Sequence, residues 1–262
     1  CPERLCSGYF CPYSMKKLLA FLVVLVLLLP VCALAASPVT ITSTTDNGDC
    51  TVTMKFNNPN GSKTTVGAML VGNEDAGNKL IVDETTGSSY TFTWLAPGES
   101  YMVVAMNGFD TDTLTYDVVS VSEPPQFDDY YFSVSDANLT YFVPKGSSYS
   151  YNYAKDLSPN EIKNLMDEKQ FWVKSDFDHT TNTADRYASV LTVVKSPTGY
   201  IQTDADNLEI KANTTGFWRT MVYMNDAFDN MIEAHGSIPT GKYEVTVYLD
   251  GKLAGTSSFK IN

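Results

Sequence analysis

The sequence predicts an all-β protein of two β-sandwich domains, the second with one short helix inserted. Short runs of alternating apolar and polar residues recur along the chain, and clusters of Gly, Pro, Asn and Asp separate them, as in strands joined by turns. About 225 residues follow a predicted export signal, which is enough for two hydrophobic cores. Of the five cysteines only Cys50 lies in this part, so the domains cannot depend on internal disulfides.

Residues 15–35 are predicted to be a cleaved export signal. Two lysines follow Met15 directly, residues 18–29 carry no polar side chain, and Ala33 and Ala35 form a small-residue cleavage site. We therefore expect a secreted, extracellular or cell-surface protein. An uncleaved anchor is the alternative, and this segment would then be the only membrane attachment that the sequence predicts.

Removal of the N-terminal segment makes the chain more acidic. Residues 1–14 precede a complete signal and are predicted to be a non-native leader, outside the fold. Without residues 1–35 the chain loses three basic and one acidic side chain, and its net charge changes from −12 to −14. This balance excludes nucleic acid as a predicted partner, because phosphate binding requires clustered Lys and Arg.

Residues 37–122 are predicted to form the first β-sandwich. Seven short runs carry the strand pattern: 39–43, 50–56, 66–71, 79–82, 89–94, 101–106 and 113–121. Seven strands with turn residues between them are typical of a sandwich, and no stretch here has a helical period.

Residues 95–101, with the sequence LAPGESY, resemble the turn before strand F of fibronectin type III domains. In that family a leucine closes strand E, a Pro-Gly turn follows, and a tyrosine begins strand F. The resemblance implies a tyrosine corner, in which the hydroxyl of Tyr101 binds backbone at the bend. The tryptophan usual on strand B is absent here, so Met54 or Phe56 would have to fill that volume.

The second β-sandwich is predicted over residues 128–262, after a linker at 123–127 that two adjacent prolines hold extended. A short helix is predicted at 159–169, because Ser158, with Pro at the next position and Glu161, forms a capping box. Strands are predicted at 132–134, 139–143, 171–177, 186–195, 200–203, 208–211, 217–225, 242–249 and 252–261.

The last two strands form the clearest predicted hairpin. Residues 242–249 alternate in polarity, and Asp250-Gly251 has the composition of a two-residue type I′ turn. Residues 238–261 resemble the last hairpin of many bacterial Ig-like extracellular domains, with a G-x-Y-x-V strand, a D-G turn and a strand ending in F-x-I. The resemblance implies a bacterial, exported sandwich module and no particular ligand.

Aromatic residues of the second domain are the first candidate binding residues. Tyr149, Tyr151 and Tyr153 alternate, so on a strand they share one face. An exposed face of this kind could stack on sugar rings, and Trp172 and Trp218 could extend it. Because aromatic side chains usually pack inward, core packing is the favoured interpretation and the sugar platform is the alternative.

Two stretches carry candidate chemistry. His179 lies near Asp176 and Asp178 and could serve a small hydrolase as an acid–base residue, although a polar loop has the same composition. Asp204 and Asp206 begin a stretch with oxygen donors at alternating positions, as in a calcium loop, but the glycine and the distant glutamate of such loops are missing. A solvated turn is the favoured interpretation. No cofactor is predicted, and calcium is the only one that the sequence suggests as an alternative.

These features predict an exported bacterial protein that is not an enzyme and that acts in binding or adhesion at or outside the cell surface. Its expected partner is an extracellular protein or a glycan. Two alternatives remain: a carbohydrate-binding accessory protein and a small secreted hydrolase that uses His179.

Overall fold

Antiparallel β-strands make up most of the computed structural model, which describes residues 37–61, 63–126, 132–145, 148–179, 185–212 and 216–262. Ser37–Asn262 form one compact unit. The predicted leader and export signal lie outside the described residues. In the described chain neither α-helix is long and apolar enough to cross a lipid bilayer.

The first half contains all seven predicted strands, arranged as two antiparallel sheets. The sheets have the orders β1-β2-β5 and β4-β3-β6-β7. The strands are β1 (Thr40–Asp46), β2 (Val52–Asn57), β3 (Thr64–Leu70), β4 (Ile81–Thr85), β5 (Ser89–Phe92), β6 (Ser100–Asn107) and β7 (Asp110–Ser120).

The core of this half follows from alternation along the strands. On β2, Val52, Met54 and Phe56 are buried while the residues between them are partly or fully exposed. Phe92 at the end of β5 and Leu95 in the turn after it are fully buried in the same cluster. Met54 and Phe56 therefore lie in the core, where the family resemblance required one of them to replace a tryptophan.

The described residues of the second half form nine strands in two further antiparallel sheets. One has the order β10-β9-β11-β14, with β8 also paired to β11, and the other has the order β13-β12-β15-β16. The strands are β8 (Phe132–Val134), β9 (Asn138–Lys145), β10 (Ser148–Tyr153), β11 (Phe171–His179), β12 (Arg186–Lys195), β13 (Ile201–Ile210), β14 (Gly216–Tyr223), β15 (Gly241–Leu249) and β16 (Lys252–Ile261).

The predicted final hairpin is present with the expected turn. β15 pairs with β16, and Asp250 and Gly251 both have positive φ, of 48° and 70°. Two successive left-handed residues define a type I′ turn, whose twist matches that of the flanking strands. On β15, Tyr243, Val245 and Val247 are fully buried, which confirms the predicted inward face.

The part of the chain that the structure describes contains two α-helices, whereas the sequence predicted one. The first, α1 (Pro159–Leu165), has the predicted capping box: Ser158 Oγ accepts from the Glu161 N–H, and Glu161 Oε2 accepts from the Ser158 N–H. The second, α2 (Asn225–His235), was missed, and its first residue was wrongly assigned to a strand. Buried Ala227, Phe228 and Met231 form its inner face, and Gly236 closes it with φ of 80°. The prediction of a single helix is therefore wrong.

The side chain of Asn225 explains why α1 ends four residues earlier than predicted. Its Nδ2 donates to the carbonyls of Met166 and Lys169, and its Oδ1 accepts from the Phe171 N–H at 2.7 Å. The carbonyls after α1 are thus bound by a side chain and not by a further helical turn.

The two halves meet across a packed boundary. Leu191, Val193 and Tyr248 of the second half belong to the apolar cluster of the first half. Lys195 Nζ lies 2.7 Å from Glu99 Oε1, and the Ile201 N–H donates to Asn78 Oδ1 at 2.9 Å.

The predicted linker is also bound to the second half. Pro124 is buried, the Leu253 N–H donates to the Pro125 carbonyl at 3.0 Å, and Gln126 Nε2 donates to the Leu253 carbonyl at 2.7 Å. Residues 123–126 therefore continue the packed boundary and are not a free spacer. The division of the chain into two domains stays a prediction.

Candidate ligand-binding face

The outer face of sheet β10-β9-β11-β14 carries the strongest candidate site. Paired residues of neighbouring antiparallel strands lie on the same face of a sheet. Tyr151 is paired with Phe142, and Tyr153 is paired with Thr140, which is in turn paired with Trp172. Trp172 is also paired with Tyr223. We call Phe142, Tyr151, Tyr153, Trp172 and Tyr223 the aromatic face.

Ring contacts connect most of the aromatic face. The ring centroid of Phe142 lies 4.6 Å from that of Tyr151 and 5.8 Å from that of Trp172, the second pair edge-on. Trp172 lies 5.1 Å from Tyr223. These separations are in the range of favourable aromatic pairs, so the rings support one another across four strands.

Part of this face is open to solvent. Tyr151 is 41% and Tyr153 58% exposed. The favoured sequence-based interpretation placed them in the core, and for these two residues it is wrong. The core-facing positions of the sheet belong instead to Leu139, Phe171 and Val173. Alternation showed that the tyrosines share a face, but it could not show which face the second sheet covers.

A charged group borders the aromatic face on β11 and β14. Arg219 Nε lies 2.7 Å from Asp176 Oδ1, and Lys174 Nζ lies 2.9 Å from Asp176 Oδ2. The Arg219 guanidinium carbon also lies 5.6 Å from the ring centroid of Tyr151, a cation–π distance. Partial burial raises the pKa of Asp176, but hydrogen bonds from Arg219 and Lys174 and their positive charges outweigh it, and the pKa lies below its ordinary value.

The indole of Trp172 adds an unusual feature. Its Nε1 is buried and has no hydrogen-bond partner among the described residues, although the ring itself is half-buried. Thr140, beneath the same rings, is fully buried and donates its hydroxyl to the Trp172 carbonyl at 3.2 Å. The exposed tyrosine rings therefore lie next to a buried polar side chain, Thr140, that is bonded to the backbone of Trp172.

A cleft of about 390 Å³ begins at the end of the aromatic face, because Tyr223 lines both. Asp167, Asp226 and Asp229 lie on its wall with the end of α1 and the start of α2. Burial raises the pKa of Asp229, and the negative charges of Asp226 and Asp167 raise it further. The cleft is therefore polar and acidic.

Several predicted candidates are not placed by the described residues. The structure does not describe the side chains of Tyr149, Trp218, Asp178 and His179, so their part in the site stays a prediction. Asp176, the other predicted partner of His179, is bound by Arg219 and Lys174. His235 is exposed in the last turn of α2.

The stretch at Asp204 and Asp206, predicted to be a solvated turn with a calcium loop as the alternative, is neither a turn nor a loop. Asp204 and Asp206 lie inside the continuous strand β13, paired with Thr192 and Val190 of β12. Both are exposed, and the described residues contain no group of three or more His, Cys, Asp or Glu side chains that could hold a metal ion. The residues present do not fit a calcium cage, which needs six to eight converging oxygens.

No protein-family model matches the sequence, and no curated protein matches it. Among solved structures, a two-domain fibronectin type III segment of chicken tenascin aligns with 86% of this chain and 98% of its own, at 13% identity and a TM-score of 0.25. The FN1–FN3 domains of chicken CNTN1 align with 87% of this chain and 69% of theirs, at 11% identity and a TM-score of 0.24.

A third match is the DNA glycosylase AlkC of Pseudomonas fluorescens, at 14% identity and a TM-score of 0.25. It covers 36% of this chain, which spans only 25% of the enzyme. Scores this low carry no functional information. The all-β sandwich fold of fibronectin type III or Ig-like type is evident from this chain's own strands and sheets, and from the hydrogen bond that the Ala96 N–H donates to the Tyr101 hydroxyl at the turn before β6.

Proposed function

We propose that this chain is a non-catalytic binding protein that acts outside the cell and binds carbohydrate at the aromatic face. The observation that carries the proposal is the exposure of Tyr151 and Tyr153 on a face whose other rings are fixed by packing. Rigid, amphipathic rings present apolar area at low conformational cost, and a sugar ring has apolar C–H faces to place against them.

The polar groups beside the rings suit the same ligand. Asp176, Arg219 and Lys174 offer acceptors and donors next to Tyr151, where the hydroxyls of a stacked sugar would lie. Charge-assisted hydrogen bonds of this kind orient a ligand that stacking alone would leave free to slide.

The extracellular location and bacterial origin are part of the proposal. Their support is the Lys-Lys start, the apolar run and the small-residue cleavage site of residues 15–35, together with the resemblance of the last hairpin to bacterial Ig-like modules. A secreted or surface-attached carbohydrate-binding protein would meet its ligand there.

The test is calorimetric titration of residues 37–262 with a panel of neutral oligosaccharides and cell-wall polysaccharides. With a ligand found, Tyr151→Ala and Tyr153→Ala are each expected to weaken binding about tenfold or more, as loss of one stacked ring does in other aromatic platforms. Tyr116→Ala is the matched control, because Tyr116 is 63% exposed on β7, far along the chain from this face. Unchanged affinity in both platform variants would exclude the aromatic face.

Protein binding is the second candidate, and a separate observation favours it. On the outer face of sheet β4-β3-β6-β7, Tyr116 and Val118 are 63% and 55% exposed and are paired with Val104 and Met102. Exposed apolar side chains that are continuous with buried ones are typical of docking surfaces. If no glycan binds, a protein-binding role at this face becomes the leading interpretation.

A further inference from the structure

Three strands that end their sheets share one arrangement: an aspartate side chain accepts a hydrogen bond from the backbone N–H of the next residue. The pairs are Asp83 with Glu84 on β4, Asp117 with Val118 on β7, and Asp206 with Asn207 on β13. A strand at the end of a sheet presents unpaired N–H groups to which another chain can add.

On β7 the N–H of Val118 points away from β6. β1 contacts this side of β7, where the Val39 N–H donates to the Thr113 carbonyl at 2.9 Å, and Val118 lies beyond that bond. The Val121 N–H donates to the Glu99 carbonyl, so odd-numbered residues at this end of β7 bond to β6. Val118 is even-numbered and the register is unbroken there, so its N–H points away from β6. Asp117 Oδ1 accepts from that N–H at 2.8 Å.

On β4 the corresponding N–H belongs to Glu84. The Val71 N–H donates to the Ser100 carbonyl, so odd-numbered residues of β3 bond to β6 and even-numbered ones to β4. Glu84 lies opposite Thr65, whose backbone groups face β6, so the Glu84 N–H points to the open edge. Asp83 Oδ1 accepts from it at 2.7 Å.

On β13 the group is the N–H of Asn207. The Asp250 N–H donates to the Ser189 carbonyl, so Ser189 bonds toward β15. Asn207 lies opposite Ser189 on the other side, and its N–H therefore faces the open edge. Asp206 Oδ1 accepts from it at 2.8 Å.

All three of these bonds lie on strands at the end of a sheet. All six residues involved are exposed. Asp117 lies between Tyr116 and Val118, two exposed side chains with large apolar area.

We infer that Asp83, Asp117 and Asp206 are edge guards, which prevent a second strand from adding to β4, to β13 and to the part of β7 beyond its bond with Val39. Each carboxylate occupies the donor that an incoming strand would need and places a negative charge where the incoming carbonyl would lie. The inference is independent of the proposed carbohydrate binding. It also means that a protein partner of the Tyr116 surface would dock on the face of the sheet and not extend its edge.

The test compares residues 37–262, which form a compact unit, with a triple variant carrying Asp83→Ala, Asp117→Ala and Asp206→Ala. The control variant carries Asp136→Ala, Asp156→Ala and Glu168→Ala, which removes the same charge from exposed loop and turn positions. Sedimentation velocity over a concentration series measures self-association. We expect the edge variant to associate at concentrations about tenfold lower than the wild type and the control. Equal association of both triple variants would overturn the inference.

Amide hydrogen exchange supplies a second readout that does not depend on association. In the wild type the N–H groups of Glu84, Val118 and Asn207 should exchange slowly for their exposure, and in the edge variant about tenfold faster or more. Wild-type exchange at the rate of unbonded exposed amides would show that the aspartates do not bind these groups, and would also overturn the inference.

Discussion

The hydroxyl of Tyr101 accepts a hydrogen bond of 3.0 Å from the backbone N–H of Ala96. Tyr101 begins β6 and is 5% exposed, and the bond closes the turn that follows β5. Burial raises the pKa of this hydroxyl, which keeps it protonated. This is the tyrosine corner that the resemblance of residues 95–101 to fibronectin type III domains implied, and it fixes the crossing from one sheet to the other.

Replacement of Tyr101 by Phe should therefore destabilise the protein by about 1–2 kcal/mol, because the buried Ala96 N–H loses its acceptor. Urea unfolding followed by circular dichroism would measure the change. Tyr116→Phe removes a hydroxyl from an exposed ring and should leave the unfolding midpoint unchanged. A Tyr101→Phe variant as stable as the wild type would mean that the corner does not stabilise the fold.

Asn225 should be among the most sensitive polar residues of the second half. Its side chain is 7% exposed and makes three hydrogen bonds, to Met166, Lys169 and Phe171. Truncation to Ala leaves the Phe171 N–H without an acceptor, and we expect a loss of about 2–3 kcal/mol in the free energy of unfolding. Asn160→Ala, at an exposed position of α1, is the control, and similar losses in both variants would contradict the assignment.

Gly251 should tolerate alanine less well than Gly48 does. Both have positive φ, of 70° and 76°. A Cβ on Gly251 would lie 2.6 Å from the Asp49 carbonyl oxygen, whereas one on Gly48 would meet nothing within 4 Å. Both substitutions incur the strain of the left-handed conformation, of order 1 kcal/mol, and Gly251→Ala adds a clash across the boundary between the halves. Thermal unfolding of the two variants would rank them, and equal shifts would refute the boundary contact.

The carboxyl of Asp229 should contribute to the stability of the folded protein at low pH and lose this contribution at neutral pH. Its pKa is raised in the fold, so the folded state binds this proton more tightly than the unfolded state, in which the value is about 3.9. The stability from this group is present below that pH and is lost as the pH rises through the folded pKa. Asp229→Asn should therefore stabilise the protein at pH 7 and have no effect near pH 3.

Denaturant unfolding of the Asp229→Asn variant across this pH range would test the sign. Since the carboxyl is only partly shielded from water, the gain at pH 7 should be below about 1 kcal/mol. Asp156→Asn removes the same charge from an exposed turn and serves as the control. Destabilisation of the Asp229→Asn variant at pH 7 would contradict the expected relief of repulsion from Asp226 and Asp167.

Local features of the sequence predicted most of the fold. Alternating residues and turn signals identified all seven strands of the first half, the capping box at Ser158 and the turn at Asp250-Gly251, because each depends on contacts close in sequence. The helix α2 was missed because the strand pattern of β14 runs into it and Met224 before it provides no capping side chain. The two aspartates in β13 suggested a break that cross-strand pairing with β12 prevents.

The candidate site was harder to predict, because it depends on which sheet face the rest of the chain covers. Tyr151 and Tyr153 were identified as one face from their spacing alone. Their exposure, and the approach of Phe142 and Arg219 to Tyr151, are set by the order of strands in the sheet. Strand order is a long-range property that a local pattern cannot contain.

The packed boundary between the halves has a consequence for how such a chain can change over evolutionary time. Leu191, Val193 and Tyr248 complete the core of the other half, and Pro125 and Gln126 are hydrogen-bonded to Leu253 of β16. Neither half could be exchanged for an unrelated sandwich without leaving apolar surface uncovered at the junction. The two halves are therefore expected to be inherited and to vary together, and a change at the boundary in one half should be followed by a compensating change in the other.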